Sequence, residues 1–319
     1  MRILITGGLG FIGGRVATHL SSFGHQIVIA SRTKHDPPLW LPTAEMFHLN
    51  WDVESSLRKA CEDVDVVIHT AGMNSSDCEI SPEKAHEFNG SATQRLVEAS
   101  VAAKVKTFVY LSTAHVYEHP LSGSITETIT PKNQHPYATS HIAGEKAVLS
   151  ASIGGEIDGI VLRLSNVYGA PTHKNVNCWM LLVNDLCKQA VTTQRIILRS
   201  SGTQQRNFLT MSDACAVIAS AIFDNIEVGI PKILNVGSRE SETVFEMAIA
   251  IQKRCQKMLG IFPQIETLPS GQKLDFPRLS YDSLYTLSLQ NIIKNNRDRE
   301  IDLLLNFCSD SFGLKTNKS

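Results

Sequence analysis

Neither a disulfide framework nor a zinc knuckle is written in this sequence. Its seven cysteines, at 61, 78, 178, 187, 215, 255 and 308, are odd in number, scattered, and nowhere spaced Cys-x-x-Cys. The scatter fits a reducing compartment, and the expectation is a cytoplasmic protein. An excess of either charge is missing as well: 30 Lys and Arg stand against 31 Asp and Glu, for a formal net charge of -1. That balance excludes an overall basic field for nucleic acid or anionic lipid and points to a small, locally bound partner. Long apolar runs are absent too. The densest stretch, Cys215 to Phe223, falls far short of the ~20 residues that span a bilayer, so no membrane partner is expected. The opening Met1-Arg2-Ile3-Leu4-Ile5-Thr6 runs straight into glycines, which leaves no room for a signal peptide and predicts a chain that starts inside its fold. No internal repeat or low-complexity segment is visible. What is present is 319 residues, 43% hydrophobic, 19% charged and 7% aromatic, the composition of a folded protein with one large core or two modest ones.

Short β-branched runs alternate with amphipathic stretches. Arg2 to Thr6, Gln26 to Ala30, Val64 to His69, Lys106 to Ser112 and Gly159 to Leu164 read as strands. Apolar residues on consecutive positions suit a parallel sheet covered on both faces. With helical patterns between most of the runs, the rhythm is βαβ and the class α/β. Past Gly169-Ala170-Pro171 the rhythm loosens into a helix at Cys178 to Ala190, a strand at Arg195 to Arg199 and a helix at Ser212 to Phe223. The segment Leu234-Asn235-Val236-Gly237 reads as a strand rejoining the first sheet. The polar tail, Phe312 to Ser319, is expected to fray.

Between the first strand and a helix through Val16, Ala17 and Leu20 stands Thr6-Gly7-Gly8-Leu9-Gly10-Phe11-Ile12-Gly13. Glycines at 7, 10 and 13 allow a tight turn, close approach of the backbone to a pyrophosphate, and tight helix packing, with the helix N-terminus facing the phosphate charge. A glycine-rich turn without a ligand is the bland alternative; the placement inside a βαβ unit favours a dinucleotide. A fold selecting NAD carries an acidic residue at the end of the second strand. Here that segment reads Val28-Ile29-Ala30-Ser31-Arg32-Thr33-Lys34, so Ser31, Arg32 and Lys34 are positioned to bind a 2′-phosphate. The cofactor expected is NADP, with NAD possible, since Arg32 could instead cover the adenine face. The resulting division is a Rossmann-type, doubly wound dinucleotide-binding domain over 1–170, with 212–240 returning to it, and a smaller mixed C-terminal substrate-binding region over 171–211 and 241–319.

Five ordered segments resemble the extended short-chain dehydrogenase/reductase family, and within it the NAD-dependent epimerase/dehydratase group acting on nucleotide sugars. They are the glycine loop; His69-Thr70-Ala71-Gly72; Leu111-Ser112-Thr113-Ala114-His115-Val116-Tyr117 with Tyr137-Ala138-Thr139-Ser140-His141; Arg163-Leu164-Ser165-Asn166-Val167-Tyr168-Gly169; and Gln205-Arg206-Asn207-Phe208-Leu209-Thr210-Met211-Ser212-Asp213. The likeness runs from Met1 to about Arg239. It implies that Gly7, Gly10, Phe11, Ile12, Gly13, Ser31, Arg32, Thr70, Ala71 and Gly72 hold the cofactor. It further implies that Tyr137 is the acid or base of a hydride transfer, with Thr113 bonded to the substrate oxygen. A free tyrosine has a pKa of about 10 and needs a nearby cation to ionise near neutrality. The family's cation is a lysine four residues on, which also binds the nicotinamide ribose; here that position is His141. Residues i and i+4 share a helix face, but an imidazole is mostly neutral at pH 7. Three readings stay open: His141 as ribose ligand and partial cation, His141 or His115 as the proton carrier, or a fold kept for binding alone. Lys146 lies on a different face of that helix and cannot substitute.

By the same resemblance Asn166 contacts substrate beside the cofactor and Arg206 grips the nucleotide diphosphate, with an ordinary surface salt bridge as the alternative for Arg206. His115 is a further substrate-side candidate. Gly271-Gln272-Lys273-Leu274-Asp275 is similar to the family's G-R-x-x-D with glutamine for arginine, so Lys273 or Arg278 is expected to compensate. Asp52 is a candidate for adenine or for a helix N-cap. His115 and His119 pair as a metal site only if both lie on a helix, and no metal is expected. Trp40, Trp51 and Trp179 are expected to pack rather than to stack on a ligand. The reading is an epimerase or 4-keto reductase of a nucleotide-activated sugar, a homodimer through a face that includes the helix after Tyr137. Dehydration is disfavoured because Ala114-His115, not Asp-Glu, follow Thr113. The alternatives are a reductase of a non-nucleotide ketone or alcohol, such as a steroid or flavonoid, and a catalytically impaired cofactor-binding protein.

Overall fold

Apolar side chains on consecutive strand positions need cover on both sides, and the chain provides it. The computed structural model describes residues 1–223, 233–268, 277–284 and 291–313. Its strands are β1 (Arg2–Thr6), β2 (Gln26–Ser31), β3 (Glu45–His48), β4 (Val66–His69), β5 (Thr107–Thr113), β6 (Ser124–Ile125), β7 (Asp158–Leu164), β8 (Asn166–Tyr168), β9 (Arg195–Leu198), β10 (Gln205–Thr210), β11 (Ile233–Val236), β12 (Ser241–Thr243), β13 (Gln264–Thr267) and β14 (Ser280–Tyr281). Its helices are α1 (Phe11–Ser21), α2 (Glu54–Ala60), α3 (Ser75–Ile80), α4 (Pro82–Ala85), α5 (Ala92–Ala102), α6 (Pro136–Ile153), α7 (Leu182–Thr193), α8 (Met211–Phe223), α9 (Val244–Leu259) and α10 (Arg297–Phe312), with a π-helical segment at His86–Ser91. Seven strands form a parallel sheet in the order β11-β7-β5-β4-β1-β2-β3. Successive residues point to opposite faces. Ile3, Ile5, Ile27 and Ile29 enter one core with Val16, Ala17 and Leu20 of α1 and Ala214, Val217 and Ile218 of α8. Leu4, Val28 and Ala30 enter another with Leu57 of α2, Leu96 of α5 and Val148 of α6. This is the doubly wound α/β architecture expected.

The order places the site. From β1 the chain moves to β2 on one side and later returns to β4 on the other, and such a switch opens a crevice at the carboxyl ends of the strands. Smaller sheets, β12-β10-β8, β13-β9 and β14-β6, flank that end. A further core gathers Leu186 and Cys187 of α7, Met247 and Ile251 of α9, and Ile301, Leu304 and Leu305 of α10. The strand at Ile233–Val236 pairs in parallel with β7, Leu234 opposite Leu162.

Several boundaries differ from the sequence reading. β4 begins at Val66, because Asp63 has φ 56° and Val64 N–H closes a turn on Cys61. The helix expected from Cys178 starts at Leu182; Leu181 N–H turns back on the Cys178 carbonyl, and the Asn184 amide donates to the Cys178 sulfur. β3 has no signature in the sequence, since none of Glu45, Met46, Phe47 or His48 is fully buried and a short edge strand lacks an apolar run. All seven cysteines are buried free thiols. No helix among the described residues is long and apolar enough to cross a membrane. Residues 314–319 of the tail lie outside the described residues.

Candidate active site

A crevice with a cavity volume of about 640 Å³ lies over the carboxyl ends of β1, β4 and β5. Its floor is the glycine loop. Gly7 has φ +71°, a conformation that disfavours side chains, and a Cβ there would stand 2.8 Å from Ala71 N and from Thr70 Oγ1. Gly10 N–H donates to the Gly7 carbonyl at 2.8 Å. A Cβ on Gly13 would meet the Gly7 oxygen at 2.4 Å. Gly10 caps α1 without a side-chain partner, and the first turn holds no acidic residue. The N–H groups of Phe11, Ile12 and Gly13 are therefore left for an outside acceptor, with the helix dipole favouring an anion. Thr70, which donates to the Thr6 carbonyl at 2.7 Å, closes the loop from the end of β4, with Ala71 and Gly72 beside it. Gly13→Ala is expected to push this loop apart. Overpacking costs about 1–3 kcal/mol, so fluorescence titration should find NADPH binding weakened roughly 10- to 100-fold.

At one end of the crevice Ser31 and Arg32 leave β2, and the Arg32 guanidinium carbon lies 5.8 Å from the centre of the Phe88 ring. Trp51 stands edge-on to Phe88 at 5.2 Å, and both rings line the crevice. The sequence reading has Trp51 only packing, and no motif marks it or Phe88. Trp40 packs against the core, and Trp179 stacks on Phe307. Asp52 is not brought to the site. It is exposed, its N–H donates to Asn50 Oδ1 at 3.1 Å, and the N-cap of α2 is Val53, so the capping role is not realised.

Thr113 ends β5, and Tyr137 and His141 stand one turn apart on α6. The start of α6 is set by Pro136 and by His135 Nδ1, which accepts from Tyr137 N–H at 3.1 Å. Farther along, Glu145 takes a bidentate pair from Arg163 of β7 at 2.9 and 2.6 Å, and a hydroxyl from Ser112 of β5 at 2.5 Å. With both charged side chains about 4% exposed or less, this ties α6 to the strands that carry Thr113. The Tyr137 and His141 rings meet edge to face at 4.6 Å. Burial pushes the Tyr137 phenol up to about 12, partly offset by a hydrogen bond with Thr113.

Burial, and next the proximity of His115, lower His141 to about 4. That speaks against the reading of His141 as a partial cation: a buried imidazole with no carboxylate partner among the described residues is cheaper neutral. His141 Nδ1 lies 3.0 Å from the Tyr110 hydroxyl. His69 is buried between the hydroxyls of Thr6 and Thr93, at 2.6 and 2.9 Å, and burial lowers it to about 3.

His115 lines the crevice just past Thr113, its N–H donating to Thr113 Oγ1 at 3.2 Å. Burial, then His119, Arg206 and His135, lower it to about 4. Its ring centre is 5.8 Å from that of His119, and no metal-binding cluster occurs among the described residues. Asn166 of β8 lines the crevice while its amide donates to the Asn207 carbonyl at 2.9 Å. Ser165 beside it, within the segment from Arg163 to Gly169 but given no role there, has a buried hydroxyl without a partner among the described residues. Arg206 of β10 lines the same wall, and among the described residues it makes no ion pair. Arg278 is exposed and does not line the crevice. The motif from Gly271 to Asp275, with Gln272 and Lys273, lies outside the described residues.

Residues 3–237 match the sequence model of the NAD dependent epimerase/dehydratase family. Human (Homo sapiens) dTDP-D-glucose 4,6-dehydratase is 27% identical over 262 residues, covering 77% of this chain and 72% of that one. The dTDP-6-deoxy-L-talose 4-dehydrogenase (NAD(P)(+)) of Kitasatospora kifunensis is 28% identical over 247 residues, covering 76% and 75%. Among solved structures, MoeE5 in complex with UDP-glucose and NAD superposes with a TM-score of 0.78 at 22% identity, over 98% of this chain and 99% of that one. The UDP-glucose 4-epimerase of Thermus thermophilus, in complex with NAD, gives 0.77 at 22% identity, over 97% and 99%. These superpositions establish a shared fold.

Proposed function

The chain belongs to the NAD dependent epimerase/dehydratase family, and on that premise we propose that it is an NAD(P)-dependent 4-keto reductase or epimerase of a nucleotide-activated sugar. One observation carries the reading: a single crevice joins the glycine loop, the Thr113–Tyr137 pair and Arg206, which makes no ion pair among the described residues. The fit to a dinucleotide rests on the cradle at Gly7 and Gly13, which any Cβ would fill. Gly10 to Gly13 would hold its pyrophosphate, Thr70 to Gly72 would flank it, and Ser31 with Arg32 would take the adenosine ribose. A bound nicotinamide supplies the hydride donor or acceptor. Thr113 Oγ1 orients the substrate oxygen and Tyr137 Oη exchanges its proton. Arg206, a forked cation without a carboxylate, suits a diphosphate, and Asn166 and Ser165 offer polar contacts between the two ends.

Tyr137 favours the reductive direction. A phenol held at about 12 is protonated at neutral pH, ready to donate to a developing alkoxide and poor at accepting. The absence of an acidic residue at the end of β2, where Ser31 and Arg32 stand, supports NADP in the same sense. Arg32→Ala is expected to weaken NADPH binding about 10- to 100-fold, the worth of a charge-assisted hydrogen bond, and to leave NADH binding unchanged; equal loss for both cofactors would instead place Arg32 over the adenine. The decisive experiment is mass spectrometry of nucleotide sugars and their 4-keto derivatives incubated with the protein and NADPH. A reduced or epimerised species is expected. Tight NADPH binding with no conversion anywhere in that panel would support the second reading, a cofactor-binding protein without turnover, which the uncharged His141 favours.

A further inference from the structure

We propose that Tyr110 is a positioning residue that holds His141 as its Nε2–H tautomer, so that position 141 offers the crevice one N–H donor. Tyr110 lies on β5 with 2% exposure, and its hydroxyl meets only His141 Nδ1 among the described residues, at 3.0 Å. Two polarities are open to that bond. If the ring donated from Nδ1, the phenolic hydrogen would be buried without an acceptor, and an unmet buried donor is costly. The phenol therefore donates, Nδ1 accepts, and the ring proton resides on Nε2. Burial holds the Tyr110 phenol well above its ordinary range, so the donor is kept. Protonating His141 would break this bond, which adds to the cost of charging the ring.

A glycine in α6 fits the same arrangement. A Cβ on Gly144 would stand 2.5 Å from the Tyr110 hydroxyl and 2.7 Å from the Asn89 carbonyl. Glycine inside a helix is destabilising relative to alanine; here it lets the phenol reach the imidazole. The groups around His141 give no reason to charge it. His69 of β4 and His115 after β5 are neutral, Tyr137 of α6 is protonated, and Glu145 is committed to Arg163 and Ser112. Nε2 has no partner among the described residues, and the ring borders Gly72 in the crevice, its Cε1 4.0 Å from where a Cβ there would stand. The lock stands on this geometry; its use, an N–H given to a ribose hydroxyl, rests on the function proposed above.

The test is a long-range proton–nitrogen spectrum of the full chain labelled with nitrogen-15 histidine, recorded from pH 8 to 5, with His141 identified by its loss in His141→Gln. The expected signal is a neutral ring, bare at Nδ1 and protonated at Nε2, constant over that range. At pH 8 Tyr110→Phe should move the Nδ1 resonance of His141 downfield, toward that of an imidazole nitrogen that accepts no hydrogen bond, and Gly144→Ala should do the same. An Nδ1–H ring or an imidazolium at pH 7 in the wild-type chain overturns the proposal, as does a Tyr110→Phe protein with an unmoved Nδ1 resonance. If the variants do not fold, the wild-type spectrum decides alone. An Nε2–H signature in a protein that binds no NADPH would leave the lock standing and remove the function.

Discussion

Tyr137→Phe is expected to lower turnover about 100- to 10,000-fold, the usual share of a positioned proton donor, while NADPH still binds. Phenylalanine fills the same volume, and the start of α6 depends on Pro136 and the His135 ring rather than on the phenol. The loss should fall on kcat with KM little changed, because a proton transferred in the transition state contributes little to substrate binding. The pH profile follows from a group held at about 12. As an acid it is available throughout the neutral range, so reduction should be nearly independent of pH on this account. As a base its usable fraction grows about tenfold per pH unit below that value, so oxidation of an alcohol should accelerate steadily with alkalinity. Equal kcat for Tyr137→Phe and wild type would remove Tyr137 from the chemistry.

Acidification is the second large effect, on stability. His69, His115 and His141 are held at about 3, 4 and 4, whereas in the unfolded chain each returns to about 6.5. Their folded values are depressed, so above about pH 6.5 the neutral buried rings carry no penalty. Below it the unfolded chain takes up protons that the native state refuses, and stability falls until the folded values are reached. Three such groups give a slope of roughly 4 kcal/mol per pH unit. The loss ends once the folded values are passed, at about 12 kcal/mol in all, so against a typical total of about 5–15 kcal/mol a cofactor-free protein in the lower part of that range should unfold between about pH 5 and pH 3. Urea midpoints at pH 7, 6 and 5 measure the slope, and His69→Gln should reduce it by about a third. Midpoints that do not move between pH 7 and 5 would sink this account.

Local rules account for much of what was legible. Consecutive apolar residues in Ile3 to Ile5 and Ile27 to Ala30 announced buried parallel strands, and glycines between a strand and a helix announced an anion cradle; both depend on neighbours in the chain. β3 escaped because it is a four-residue edge strand whose side chains are only partly buried or exposed, leaving no apolar run to read. The surroundings of Asp52 and Arg278 were not legible for a different reason: position in a motif does not say which way a loop turns, and both turned to solvent. Trp51 and Phe88, far apart in the chain, form one wall only once the turn between β3 and α2 and the π-helical segment are folded together.

By itself, the sequence determined the α/β class, the glycine cradle, the one-turn spacing of Tyr137 and His141, and the family to which the chain belongs, because covalent order and helical period are local properties. The state of that pair was decided by tertiary structure alone. Whether the imidazole is charged depends on how completely water is removed from it and on which way a phenol on β5 donates, and neither quantity exists before β5, α6 and Gly144 are packed against one another.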